Sequence, residues 1–241
     1  MKLDCYMVPS EITETVLRGK IVVIIDVLRS CSTVAYALVN GAEKIIPAAT
    51  VEAATKLMSS LDRGSTLLCG EREGKKVDGF DLGNSPLEYT RAIVGGKTLV
   101  FASTNGTKLM AKGQKAQEQL LCSFVNMGKV IERLRPEGPE PVIACSGTNG
   151  QFSLEDAVCA GMVASKLGDV FPGAWELNDG AKAAVALFEE FGGDIHRMLH
   201  GSSHGLYLLS LGFGLDVEIC ARTDSVPVLP VLKEGRITLS G

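Results

Sequence analysis

The sequence predicts an α/β protein with a three-layer α/β/α arrangement around a mainly parallel or mixed sheet. Short apolar runs rich in β-branched residues alternate with amphipathic segments, and the runs are apolar at consecutive positions. Such runs suit strands that are covered by helices on both faces of the sheet. The predicted strands are 21–25, 44–46, 66–69, 98–101, 120–122 and 141–145. The predicted helical segments lie near 30–40, 50–61, 104–113 and 125–135.

The second half of the chain, from about residue 150, is predicted to be richer in helix. Residues 153–211 show helical spacing of apolar side chains, with interruptions at Gly192-Gly193 and Gly201. Residues 215–220 and 226–239 return to a strand-like pattern. No linker separates the halves, so a single domain over residues 1–241 is expected, with two closely joined subdomains as the alternative.

Composition and charge exclude several classes of protein. The chain has 241 residues, 46% of them hydrophobic and 22% charged, which favours one folded globular unit. The formal charge of -4 and the absence of a Lys/Arg block argue against a nucleic-acid or acidic-membrane partner. The apolar stretch 21–25 is closed by Asp26, and no apolar run approaches the roughly 18 residues of a membrane helix.

The seven cysteines and the first residues of the chain predict a cytoplasmic protein. Seven is an odd number and there is no C-x-x-C pair, so a reducing compartment is expected. The first residues also lack the apolar region of a secretory signal. The oligomeric state stays open, with a homodimer as one alternative.

Polar clusters follow four of the predicted strands. They occupy residues 26–33, 70–72, 103–107 and 146–150. In open α/β sheets, ligands bind beyond the carboxyl ends of strands, where loops and helix N-termini present free N–H groups. We therefore expect the four loops to meet in one pocket.

Asp26 and Arg29 are the strongest individual candidates. Asp26 ends an apolar run, where a carboxylate would be desolvated unless it met a cation or several donors. It could be a metal ligand or nucleophile, or instead a helix N-cap or the partner of Arg29. The guanidinium of Arg29 matches phosphate or carboxylate geometry, but it could equally serve only to pair with Asp26.

Several other polar segments have both a functional and a structural interpretation. The turns 104–107 and 148–150 could surround anionic oxygens with N–H donors, or could be only turns and helix caps. Asp156 follows Ser153 at capping-box spacing, whereas Glu155 has no such local explanation. The segment from Asp81 to Pro86 could begin a helix or could face a ligand.

Known phosphate-binding and zinc motifs do not fit the sequence well. No cysteine has an arginine six positions later, so the C-x5-R phosphatase loop is absent. Asp26 lacks the second aspartate of a D-x-D motif, and the Gly96-Lys97-Thr98 triplet lacks the first glycine of a P-loop. His196, His200 and His204 have i, i+4 spacing, so a zinc triad is an alternative if one helix continues through Gly201.

As an ordered set, these motifs resemble the 2-phosphosulfolactate phosphatase family of coenzyme M biosynthesis over essentially the whole chain. The matching segments are 23–29 with Ser32-Thr33, 70–72, 79–86, 104–107, Cys145-x-Gly147, and 152–156 with Gly161. The chain departs from the family at Ser30-Cys31, where Ala-Thr is expected. The resemblance implies an α/β phosphatase that uses Mg²⁺ to convert (2R)-2-phospho-3-sulfolactate into 3-sulfolactate and phosphate.

A multiply charged phosphate ester repels a nucleophile until its charge is neutralised, which leads to a hypothesis for the site. The expected catalytic residues are Asp26, Arg29 and Glu71. The expected Mg²⁺ ligands are Asp26, Asp81, Glu155 and Asp156, with Glu71 as a further candidate. The expected substrate-binding residues are Arg29, Ser32, Thr33, Arg72, Asn84, Ser85, Thr104, Asn105, Gly106, Thr107 and Asn149.

Three rival functions remain at the level of the sequence. A non-catalytic sensor of a phosphorylated or sulfonated acid would need the same turns and arginines. A phosphatase for another phospho-hydroxy acid would share the site. An isomerase or a zinc hydrolase could use the late histidines.

Overall fold

The computed structural model describes residues 1–240. Gly241, the last residue of the predicted domain, lies outside the described residues, and the expectation of a single domain stays a prediction. The strands are β1 (Lys2–Tyr6), β2 (Ile21–Ile25), β3 (Lys44–Ala48), β4 (Thr66–Arg72), β5 (Lys75–Lys76), β6 (Thr98–Ala102), β7 (Glu118–Cys122), β8 (Pro141–Cys145), β9 (Glu176–Leu177), β10 (Pro230–Lys233) and β11 (Arg236–Leu239).

Helices connect most of these strands. The α-helices are α1 (Glu14–Leu17), α2 (Ser30–Val39), α3 (Val51–Met58), α4 (Arg91–Val94), α5 (Gly106–Lys112), α6 (Met127–Arg133), α7 (Leu154–Val170), α8 (Asp179–Phe191), α9 (Ile195–Gly201), α10 (Ser203–Ser210) and α11 (Gly214–Cys220). Short 3-10 helices occupy Pro9–Glu11, Pro86–Glu88, Phe124–Asn126 and Gly192–Asp194.

The described strands form one mixed sheet of eleven, in the order β5-β4-β6-β3-β11-β10-β7-β2-β8-β1-β9. One parallel group contains β4, β6 and β3, and the other contains β7, β2, β8, β1 and β9. The antiparallel β10–β11 hairpin lies between the groups and is antiparallel to both neighbours. The predicted α/β class with a mixed sheet is confirmed.

The two parallel groups run in opposite directions at the hairpin, because three antiparallel pairings separate β3 from β7. Twist of about 20–25° per pairing accumulates to roughly 100–125° over the five pairings from β6 to β2. Despite the reversed direction, residues that follow β6 and residues that follow β2 line the same cleft.

Strand β2 is buried on both faces, as its unbroken apolar sequence predicts. Val23 belongs to a core cluster that includes Val158 of α7. Ile24 faces the opposite side, in a cluster with Val34 of α2. Helices therefore cover both faces of the sheet around β2, and its carboxyl end is held rigidly.

The helical character predicted for residues 153–211 is confirmed by α7, α8, α9 and α10. The strand-like interpretation of residues 215–220 is wrong, because this segment lies in α11. Its apolar and acidic residues alternate as in a strand, yet Asp216, Val217 and Cys220 share a buried helical face. Strands β1, β5 and β9 are not predicted from the sequence.

Two observations bear on the environment of the protein. Among residues 1–240, none of the helices combines the length and the apolar character that crossing a bilayer requires. All seven cysteines are buried and carry free thiols.

Helices α7 and α8 pack closely at Gly161, and this contact gives a test of the fold. A Cβ atom at Gly161 would lie 1.9 Å from the Ala184 carbonyl oxygen, so Gly161→Ala must push α8 away. We expect the free energy of unfolding to fall by about 1–3 kcal/mol, measured by urea denaturation. Gly168→Ala is the control, because Gly168 is exposed on the same helix with nothing within 4 Å of the added Cβ. It should gain roughly 0.5–1 kcal/mol, and equal effects of the two changes would contradict the packing argument.

Candidate active site

A cleft of about 90 Å³ lies where the loops after β2, β4, β6 and β8 meet. It exceeds the roughly 10–15 Å³ that one water requires, and therefore suits a small polar ligand. Seven residues predicted for the site line it: Asp26, Arg29, Glu71, Asn84, Thr104, Asn105 and Asn149. Other lining residues include Ser30, Gly74, Thr148, His204 and Tyr207.

Asp26 directly follows β2 and is almost fully buried. Its Oδ1 accepts a hydrogen bond from the backbone N–H of Ser30 at 3.1 Å, so one oxygen caps the first turn of α2. Its Oδ2 faces Gly106, where a Cβ atom would lie only 2.6 Å away. Burial raises the pKa of Asp26, and the Ser30 hydrogen bond and the charge of His204 offset part of this rise. Gly106 thus keeps the second oxygen accessible to the cleft.

Asp156 connects the ends of β2 and β8. Its Oδ1 accepts from the Val27 N–H at 2.9 Å, and its Oδ2 accepts from the Gly147 N–H at 3.0 Å and the Ser146 hydroxyl at 3.2 Å. Burial raises the pKa of Asp156 well above its usual value, and the charges of Asp26 and Glu155 add to the rise. Only half of the capping box with Ser153 is present. The Ser153 hydroxyl accepts from the Asp156 N–H, but the Asp156 carboxylate binds the loops after β2 and β8 instead of the helix N-terminus.

Glu155 lies beside His204. The Glu155 Oε1 atom is 3.4 Å from His204 Nδ1, an ion-pair distance, but within residues 1–240 it receives no hydrogen bond of good geometry. The hydroxyl of Thr148 is 3.3 Å from the same ring nitrogen. Burial raises the pKa of Glu155, but the contact with His204 and nearby donors outweigh it and hold the pKa below its usual value.

Arg29 is buried and pairs with Asp216, not with Asp26. Its Nη1 lies 2.6 Å from Asp216 Oδ2, its Nη2 donates to the Gly74 carbonyl at 2.5 Å, and its guanidinium lies 4.2 Å from the centre of the Phe213 ring. The other oxygen of Asp216 accepts from the Ser85 hydroxyl at 2.6 Å. The hydroxyl of Ser85 therefore holds Asp216 in place, and the structure does not bring it to the cleft.

Glu71 lines the cleft but uses both oxygens on backbone groups. Oε1 accepts from the Thr104 N–H at 2.7 Å, and Oε2 accepts from the Gly74 N–H at 2.8 Å. The carboxylate thereby joins the loop after β6 to the hairpin after β4. This arrangement supports a positioning role for Glu71.

Two predicted charged residues lie outside the cleft. Side chains alternate along β4, so Glu71 faces inward while Arg72 is exposed, 3.8 Å from Glu52. Asp81 is also exposed, and its Oδ2 accepts from the Leu68 N–H at 2.7 Å. The structure brings neither residue to the group of buried carboxylates.

The predicted hydroxyl residues of α2 and α5 also point away from the cleft. The hydroxyls of Ser32, Thr33 and Thr107 donate to backbone carbonyl oxygens 2.8, 2.8 and 2.9 Å away. All three side chains are buried, so they fix the loops that surround the cleft.

The two predicted turns contact each other across the edge of the cleft. The side-chain oxygen of Asn105 accepts from the Asn149 N–H at 3.0 Å. Asn149 has a φ of 53°, a left-handed conformation that asparagine tolerates better than most residues. Asn84, on the opposite side, has a buried Oδ1 atom without a hydrogen-bond donor in the described part of the chain.

The oxygen atoms in and beside the cleft have the chemistry of ligands for a hard divalent cation. Asp26 and Glu155 lie close enough to Asp156 to raise its pKa, and the Glu155 Oε1 and Asn84 Oδ1 atoms are buried without a hydrogen-bond donor in the described part of the chain. Carboxylate and amide oxygens are suitable ligands for Mg²⁺. Their ligand atoms are not gathered as tightly as a formed site requires: over residues 1–240, the one group within 4.8 Å is His196, His200 and Glu218.

Sequence reasoning missed His204 and Asp216 as site residues. The i, i+4 spacing groups His204 with His196 and His200, but the helix ends before Ser202. Ser202 caps a new helix, α10, and His204 on that helix lines the cleft. Asp216 lay in a segment interpreted as a strand. A helical interpretation of 214–220 would have placed Asp216 on a buried face, where an acid requires a cation.

Comparisons with known proteins show which family the sequence matches. A family model for 2-phosphosulpholactate phosphatase matches residues 6–235. A protein of Caldanaerobacter subterraneus subsp. tengcongensis is 36% identical over 240 residues, covering 100% of this chain and 99% of the relative. One from Thermotoga petrophila is 42% identical over 213 residues, covering 88% of this chain and 89% of the relative. Both relatives carry the name "Probable 2-phosphosulfolactate phosphatase".

The Arg29–Asp216 pair gives a test of how the site is held. Asp216→Ala would leave the Arg29 charge buried without its partner, so we expect the free energy of unfolding to fall by about 3–5 kcal/mol. Chemical denaturation measures the change. Glu132→Ala is the control, because it removes an exposed partner of Lys129 and should cost less than about 1 kcal/mol. A small effect of Asp216→Ala would show that Arg29 does not depend on this pair.

Proposed function

Because the chain belongs to the 2-phosphosulfolactate phosphatase family, we propose that it hydrolyses (2R)-2-phospho-3-sulfolactate to 3-sulfolactate and phosphate with the help of Mg²⁺. It is thus a phosphoric monoester hydrolase. The observation that supports this function most directly is the cleft itself, which Asp26 and His204 line, while Glu155 contacts His204 and Asp156 lies near Asp26, both buried just behind the lining residues.

The charges of substrate and cleft explain why a cation is needed. The substrate carries a phosphate, a carboxylate and a sulfonate, while the buried carboxylates of Asp26 and Glu71 line the cleft. Asp26, Glu155, Asp156 and the Asn84 side-chain oxygen would hold Mg²⁺. Bound there, Mg²⁺ would neutralise phosphate charge and polarise the phosphoryl group.

Groups near the rim of the cleft would bind the anionic parts of the substrate. Arg29 lines the cleft, and only two of its N–H donors are assigned to Asp216 and Gly74. Asn105 and Thr148 also line the cleft. Charge-assisted hydrogen bonds from a planar guanidinium suit phosphate or carboxylate oxygens. Arg29 is therefore assigned to substrate binding, with Asp216 fixing its orientation.

Hydrolysis breaks the bond between phosphorus and the ester oxygen, and that oxygen must gain a proton as it leaves. His204 lines the cleft, with Nδ1 directed at Glu155 and Thr148. We assign the protonated imidazole as the proton donor and Glu155 as the group that orients it. Asp26 acts on phosphorus in one of two ways: it bonds to phosphorus, and water then cleaves the phospho-aspartyl bond to release phosphate, or it takes a proton from the water that attacks phosphorus directly.

The cellular setting is also a proposal. Seven buried free thiols suit a reducing cytoplasm. The reaction would belong to coenzyme M biosynthesis, or to sulfolactate metabolism in an organism that does not make coenzyme M. A homodimer and the absence of a nucleic-acid partner stay predictions from the sequence.

A phosphate-release screen of small phospho-acids, with and without Mg²⁺, tests the function. We expect release from 2-phospho-3-sulfolactate that chelation abolishes and that Mg²⁺, but not Zn²⁺, restores. Asp26→Asn keeps the size of the side chain but removes its charge, and should abolish turnover. Phosphate trapped on denatured protein during turnover would assign Asp26 as the nucleophile, and its absence would favour water. Melting that responds to the substrate without phosphate release would indicate a sensor instead.

The role of His204 gives a separate prediction. His204→Gln should lower kcat by about 10²–10⁴-fold, the usual worth of a general acid, with a smaller change in KM. The loss should shrink for phosphate esters of more acidic alcohols, because their leaving groups need less protonation. Arg197→Gln, at an exposed position of α9, is the control and should behave as the parent. An equal loss on all esters would limit His204 to a structural role.

A further inference from the structure

A second group of metal-ligating side chains lies outside the cleft. His196 and His200 belong to α9, and Glu218 belongs to α11. Their ligand atoms all lie within 4.8 Å of one another, and no other group of histidine, cysteine or acidic residues in residues 1–240 does so. None of the three lines the cleft.

The geometry is that of a two-histidine, one-carboxylate set. His196 Nε2 lies 2.5 Å from Glu218 Oε2, and His200 Nε2 lies 3.3 Å from Glu218 Oε1. The two imidazole rings stack with centroids 4.2 Å apart. Because the histidines are four positions apart, one face of α9 presents both Nε2 atoms to the same carboxylate.

The other nitrogen of His200 is already fixed. Its Nδ1 lies 2.9 Å from the backbone carbonyl oxygen of His196, which can accept a hydrogen bond from Nδ1–H. In this tautomer the Nε2 lone pair of His200 faces Glu218 and is free to bind a metal. A backbone carbonyl behind a ligating imidazole is a frequent second partner in metal sites.

The alternative without a metal is a pair of histidines that hydrogen-bond to Glu218. For both contacts to be charged, two imidazolium rings would have to stack at 4.2 Å, where like charges repel. A single divalent cation removes this conflict, because it takes the lone pairs of two neutral rings and the charge of the carboxylate. The C-terminal turn of α9, which contains His200, also carries partial negative charge.

We propose that His196, His200 and Glu218 form a binding site for a divalent transition-metal cation, Zn²⁺. Two imidazole nitrogens and one carboxylate oxygen suit Zn²⁺, whereas Mg²⁺ prefers oxygen ligands alone. The site joins α9 to α11, and α11 also carries Asp216, the partner of Arg29. Bound Zn²⁺ therefore stabilises the helix that holds the partner of Arg29, and it takes no part in the chemistry of the proposed phosphatase.

Zinc binding to the full, untagged chain tests the proposal. The protein is first stripped with EDTA and then kept in excess Mg²⁺ to occupy the oxygen ligands of the cleft, and Zn²⁺ is titrated by calorimetry. The parent should bind one equivalent and melt at a higher temperature with Zn²⁺. His196→Ala and His200→Ala should each weaken binding by roughly tenfold or more and lose the shift in melting temperature. Glu189→Gln, which removes an exposed carboxylate on α8, should bind as the parent does.

Two outcomes would overturn the site. Either the parent binds no Zn²⁺, or the His196 and His200 variants bind it as tightly as the parent, which would place the metal elsewhere. Circular dichroism and melting without Zn²⁺ establish that each variant is folded. Should His200→Ala fail to fold, His196→Gln decides the question, since the His196 side chain is 51% exposed and can change without disturbing the core.

Discussion

The carboxylate of Asp156 is the contact on which the cleft depends. It lies on the first turn of α7, yet it accepts hydrogen bonds from the loops after β2 and β8. These donors have no access to water, so without Asp156 several buried N–H and O–H groups would lose their partners. The same contact keeps a second acid beside Asp26. Structural order and concentrated negative charge therefore come from one side chain.

Charge balance then decides what each remaining residue can do. Arg29 is the buried guanidinium nearest to the acids, but Asp216 and the Gly74 carbonyl already occupy two of its donors. His204 is a cation only when protonated, and it faces Glu155. The acids in and beside the cleft outnumber its cationic side chains, and burial disfavours the charged forms of Asp26 and Asp156, so a divalent cation bound there would stabilise both carboxylates.

Much of the fold could be predicted from the sequence because β2 and its neighbours have unbroken apolar runs with few alternative structures. The location of the cleft followed from the position of Asp26, Thr104 and Asn149 after such runs. The side-chain partners could not be predicted, since they depend on long-range contacts. Arg29 and Asp216 meet across 187 positions, and Arg72 points outward only because β4 places Glu71 inward. Apolar and acidic residues alternate in 215–220, which is typical of a strand, but tertiary packing stabilises a helix there.

The position of the β10–β11 hairpin has a consequence for how the chain folds during synthesis. These strands are among the last described residues to leave the ribosome, yet they occupy the middle of the sheet, where Ile237 pairs with Ile45 and Val231 with Leu120. Until they emerge, β3 and β7 present open edges that can pair with other chains. The nascent protein is therefore exposed to aggregation until the hairpin has been synthesised, which makes it a candidate for chaperone protection.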